Sequence, residues 1–284
     1  MNTAFFGKRL LCSVLLIPLC LVLNAAALHA EPVEAFDHSA LDQFIKKFIS
    51  EKGEFDFESA RKDSSLLDAY LAKAQALSVL DIGTNWLREE QLAFWLNIYH
   101  AAVFRQILNA PAGFRSLNDI KDMWTYPVVK IGTLGFSINR IRQAQLIQSF
   151  HDEKMNAAFA CGAKSCPDFP RETFSAQRVE GQLFMAASHF VNDERYVQID
   201  PKAKKVRLSR LFKWYSNDFV LDFGNGTALK FSPPEMAVLS FIRHYLQDAE
   251  KIDFLETLNF KIKYLDFDWT LKQTPSEKTA AAAK

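Results

Sequence analysis

Residues 88–110, REEQLAFWLNIYHAAVFRQILNA, constrain this chain more than any other stretch. After the acidic first turn the segment has helical spacing but apolar residues on nearly every side. A helix apolar all round has to be enclosed by other elements. The chain can supply them: 49% of its residues are hydrophobic, and 25 of the 284 are phenylalanine.

The rest of the sequence reads as amphipathic helices with a few short strands. HSALDQFIKKFISEKG places Leu41, Phe44, Ile45, Phe48 and Ile49 at helical spacing, with Gly53 as its stop. SLLDAYLAKAQAL forms a second helix. YPVVKIGTLGF has the form of a hairpin turning near Gly132-Thr133. SINRIRQAQLIQSF returns to helix, with Ser137 as N-cap. GQLFMAASHFVND is amphipathic, RYVQID and KKVRLS alternate like paired strands around PKAK, and LSRLFKWYSNDF and PPEMAVLSFIRHYL are helical. FKIKYLDFDWTL supplies a last strand and its exit. Such a pattern is α+β: a single compact, mostly helical domain with a few short antiparallel strands.

The first thirty residues stand outside that domain. Lys8 and Arg9 precede the uncharged apolar run LLCSVLLIPLCLVLNAAALHA, the pattern of a secretory signal peptide cleaved at Ala27 or Ala30. The alternative is an uncleaved anchor, the one way this chain would meet a membrane. Export places the protein in the periplasm or outside the cell. Cleavage removes Cys12 and Cys20, leaving Cys161 and Cys166. It also removes two of 34 basic residues, leaving 32 against 33 acidic ones, a net charge of −1. A surface so evenly mixed offers no basic stripe for nucleic acid. The expected organisation is a signal peptide at 1–30, one domain at 31–272, and a polar low-complexity tail at 273–284 that frays.

Four blocks, QLAFWLNIYHA, NAAFACGAKSCPDF, LSRLFKWYSNDF and YLDFDWTL, follow one another as in the family called domain of unknown function 547. The chain resembles that family from about residue 55 to 270. The resemblance implies an α-rich domain around a cysteine-containing segment and brings no activity with it. The chain also departs from the family's usual pattern. Members usually carry histidine where this chain has Asn156, Glu-His where it has Arg142-Gln143, and asparagine where it has His100. Two imidazoles that could partner the cysteines are thus missing.

Several chemistries compete for the remaining candidates. Cys161 and Cys166 can close a disulfide across a bend at Gly162, if the chain there turns rather than running straight. In an exported chain with two cysteines this is the favoured reading. The rival is a papain- or transglutaminase-like thiol enzyme, with Cys161 or Cys166 as nucleophile and His100 as its base. Pro167 and Pro170 interrupt any helix starting at Cys166, which counts against it. A metal site from His151, Cys161 and Cys166 lacks the close pairs of structural zinc sites. Thiol–disulfide exchange lacks the two-residue spacing of redox motifs. No metal or cofactor is expected.

Asn97 and His100 interrupt the central helix on one face, with Tyr99 beside them. They form either a satisfied buried network or the floor of a pocket. Asp266 and Asp268 sit at strand spacing and suit a capping or turn role better than paired acid–base chemistry. Trp214, Tyr215 and Trp269 are expected to anchor the core, a sugar-stacking surface being the lesser alternative. Asn225-Gly226-Thr227 has the form of a glycosylation acceptor, a pattern too short to assign anything. The sequence therefore favours a non-catalytic periplasmic binding or envelope-assembly module, with an envelope protein or a cell-surface glycan as partner.

Overall fold

The computed structural model describes residues 36–224 and 230–274. The leader, the Asn225 triplet and most of the tail lie outside the described residues.

The chain is α+β, mostly helical, with two small sheets. The central helix runs Arg88–Leu108, and every residue from Leu92 to Leu108 except Arg105 is buried. Glu90 fastens its start by accepting a hydrogen bond from the Leu87 amide at 2.8 Å. Phenylalanines wrap it: Phe104 lies 4.7 Å from Phe169, 5.1 Å from Phe55 and 5.3 Å from Phe44, centroid to centroid. Rings at these separations, tilted rather than face to face, pack favourably beyond their buried area.

A second apolar cluster forms around the helix Pro233–Tyr245 and takes in Phe190, Tyr196, Phe212 and Phe219. Ala186, on the helix Val179–Asn192, packs against both clusters.

The hairpin forms as the alternation predicts, β1 (Val129–Ile131) pairing antiparallel with β2 (Leu134–Phe136). Gly132 at its turn has φ +58°, a conformation natural to glycine. β3 (Val197–Asp200) and β4 (Lys205–Leu208) are likewise antiparallel. The last strand, β5 (Lys261–Tyr264), pairs with β4 in parallel, so the second sheet is mixed.

Three differences from the sequence reading have local causes. The first helix stops at Phe48 rather than running to Gly53; Ile49 turns extended and bridges Phe55, and Gly53 serves the return turn at φ +67°. The helix after Ser137 is capped as expected, with Ser137 Oγ accepting from the Arg140 amide at 3.2 Å, but its middle, Ile141–Ile147, is π-helical. β5 ends at Tyr264, so Asp266 and Asp268 do not share a strand face. Asp268 caps a turn by accepting from the Thr270 amide at 2.8 Å, and Asp266 pairs with Arg210 at the surface. No described helix is long and apolar enough to cross a membrane.

Candidate functional site

The cysteine loop follows a single helical turn, Met155–Ala158. It bends at Gly162, where φ is +89° and a β-carbon would stand 2.7 Å from Ile107 Cδ1 on the central helix. The left-handed φ favours glycine there, and any β-carbon would have to push the end of the Ile107 side chain aside. The bend brings the sulfurs of Cys161 and Cys166 to disulfide distance, with Cα atoms 5.7 Å apart.

The segment after β5 straps the loop in place. Lys272 N donates to Gly162 O at 2.7 Å, Lys164 N to Thr270 O at 2.9 Å, and Leu271 bridges Ala163. From the other side, Tyr196 Oη donates to Cys166 O at 2.9 Å.

Beside this loop opens a cavity of about 280 Å³. Cys161 and Cys166 form part of its wall. Trp124, Trp214, Phe267 and Trp269 form an aromatic rim, and Tyr99, Phe159 and Tyr215 line it deeper in. Trp214 stacks on Trp269 with ring planes 21° apart, and Phe267 sits 4.9 Å from the first and 4.4 Å from the second. Trp214 is 44% exposed. The expectation that Trp214, Tyr215 and Trp269 anchor the core is corrected for Trp214 and Tyr215, which face this opening, while Trp269 both packs against the core and borders the cavity.

Arg142 stands at the back. It projects from the first turn of the π-helical segment, a geometry frequent at functional sites. Its Nη2 donates to Asn156 Oδ1 at 2.6 Å and to Asp218 Oδ2 at 2.7 Å. The guanidinium lies 3.7 Å from the centroid of Tyr215 and 5.0 Å from that of Phe159. Its charge faces a carboxylate and two ring faces, a desolvated cation–π arrangement, while its buried Nε has no hydrogen-bond partner among the described residues. The departures Arg142 and Asn156, fourteen residues apart in sequence, meet directly in this corner.

The three candidates on the central helix separate. Only Tyr99 lines the cavity. Burial pushes the Tyr99 phenol well above its usual range, and its hydroxyl has no hydrogen-bond partner among the described residues. Asn97 is spent on structure: its side chain donates to Phe174 O at 2.8 Å and accepts from Phe174 N at 2.9 Å. His100 is 1% exposed, with Nδ1 2.8 Å from Leu96 O and Nε2 3.0 Å from Ala158 O. Burial pushes its pKa down to about 4, against the pull of the two carbonyls. A neutral imidazole donates to one of these carbonyls and turns its lone pair toward the other, away from either sulfur, and a base poised that low is weak at neutral pH.

A second polar contact braces the wall. Asp218 and Asp222 lie one turn apart on the helical stretch that follows Tyr215. Asp218 holds Arg142, and Asp222 hydrogen-bonds the buried Glu153. Burial first, then the hydrogen bond to Asp222 and the charge of Asp152, raise the Glu153 pKa to about 7, so near neutrality Glu153 is partly protonated. Among the described residues no group of three or more His, Cys, Asp or Glu side chains could hold a metal ion.

A family model described as "Protein of unknown function, DUF547" matches residues 84–191. No curated protein and no solved structure matches the chain. The matched stretch holds the central helix, the hairpin, Arg142, the cysteine loop and the helix Val179–Asn192. The resemblance to that family therefore stands on the first two sequence blocks, while Trp214, Phe267 and Trp269 lie beyond it. The cavity is built from both parts.

Proposed function

We propose that this chain is a non-catalytic binding module of the cell envelope, exported by its N-terminal leader, and that it holds its partner in the aromatic cavity beside the cysteine loop. The observation that carries this reading is the pairing of Cys161 with Cys166 at bonding distance, next to a His100 whose ring nitrogens both face backbone carbonyls. A nucleophilic thiolate needs a base within reach, and neither member of such a pair is free here. What remains is a preformed cavity with rigid walls, the usual form of a small-ligand site. The strap and the bridge would serve to hold that wall still.

The rival thiol-enzyme reading draws on one fact, that both cysteines border the cavity. Intact mass of the protein from its native compartment, alkylated under denaturing conditions with and without prior reduction, separates the two. The binding reading expects no alkylation until reductant is added. A free thiol that alkylates rapidly in the folded protein below pH 8 would sink it.

A further inference from the structure

Resting on the binding-module reading, the chemistry of the cavity narrows the partner's class. The rim offers flat, apolar faces in Trp214, Trp269 and Trp124. None of their indole N–H groups has a hydrogen-bond partner among the described residues, and Asn139 at the same rim leaves its carboxamide unpartnered in the same sense. Deeper in, the Tyr99 hydroxyl belongs to a side chain only 3% exposed and is likewise unpartnered. Arg142 Nε, buried in the same wall, is also without a hydrogen-bond partner among the described residues; a buried polar group left so costs about 1–3 kcal/mol, so an occupant bearing donors and acceptors is favoured over a purely apolar one.

The other occupants fit less well. A cation would meet the guanidinium of Arg142, which already lies against Tyr215. An anion would find that charge taken by Asp218. An extended acyl chain needs more room and fewer polar groups. The volume, about 280 Å³, falls just below the roughly 300–1,000 Å³ of most ligand cavities and suits one or two six-membered rings.

We infer that the cavity binds a glycan of β-linked pyranose units with equatorial ring substituents, one ring stacking on the Trp214–Trp269 platform and its hydroxyl or acetamido groups reaching Asn139 and Tyr99. Such a ring directs its axial C–H bonds to its two faces, which makes them apolar, and its polar groups to its edge. That matches aromatic faces ringed by free donors and acceptors. An axial substituent would lift the ring off the indole.

The test is titration of the full-length mature protein with the tetrasaccharide of β-1,4-linked N-acetylglucosamine, read by tryptophan emission. The α-linked glucose tetramer is the comparison, and an envelope extract of the source cells is titrated in parallel, before and after proteinase K. The expected result is saturable binding of the β-linked tetramer and of a protease-resistant extract component. W214A should weaken both by about tenfold or more, and W214F, which keeps a flat ring, by less, with both variants melting as the wild type does. An inert tetramer together with an extract signal abolished by proteinase K overturns the glycan and leaves the binding module, with a protein partner. Silence from both tetramer and extract overturns both.

Discussion

Raising the pH should loosen this protein through Glu153. The carboxyl is 7% exposed and hydrogen-bonded to Asp222, with Asp152 adding repulsion and Lys154 partly offsetting it. Its folded pKa stands near 7 against an ordinary 4.5. An acid that holds its proton better when folded stabilises the fold fully below its unfolded pKa. That contribution is lost as pH rises toward the folded value, because the unfolded chain then binds fewer protons. At about 1.4 kcal/mol per pH unit, the window from about 4.5 to 7 is worth at most about 3.5 kcal/mol, reduced by solvent screening where the carboxyl is not fully enclosed. In urea that is a midpoint shift on the order of 1 M. Glu153→Gln keeps a donor for Asp222 without a titrating proton. Its midpoint should therefore fall less than the wild type's between pH 5 and 8, and should exceed the wild type's at pH 8. Parallel pH profiles for the two proteins would refute the role given to the Glu153 proton.

Other perturbations bear on the site's frame. Replacing both cysteines with serine should cost about 2 kcal/mol, the expectation for so short a loop, and added reductant should shift the wild-type midpoint by the same amount and the variant's not at all. Gly162→Ala forces a left-handed φ on alanine and drives its methyl into Ile107; we expect a loss of about 2–4 kcal/mol in urea unfolding. Asn97→Leu strands the buried N–H and C=O of Phe174, and calorimetry should show destabilisation of about 3 kcal/mol or more.

Much of the frame was legible because it follows from local periodicity. The central helix announced its burial by having no polar face, and the hairpin and the β3–β4 pair announced themselves by alternation and turn residues. Asn97 and His100 read correctly as polar groups needing partners, though only long-range contacts show that those partners are the backbone of Phe174 and Ala158. The cavity was not legible. Its rim joins Trp124, Trp214 and Trp269 from three distant segments, and an aromatic residue in an apolar pattern looks the same in a core as on a rim. The π-helical register that carries Arg142 inward has no signature in a seven-residue stretch. The helix Ala249–Glu256 escaped notice because Leu255 alone is buried, leaving little apolar stripe to detect.

An envelope component held in the cavity between the cysteine loop and the tryptophan rim would lie against the rim indoles. The five tryptophans divide for the purpose: Trp124, Trp214 and Trp269 border the cavity, while Trp86 and Trp95, which pack in or against the core, do not. Indole N–H resonances of ¹⁵N-tryptophan-labelled protein, followed as the envelope extract is added, read the site directly. The account predicts that the three rim indoles shift progressively to saturation while Trp86 and Trp95 stay where they are. Rim indoles that do not move, or shifts confined to Trp86 and Trp95, would contradict it.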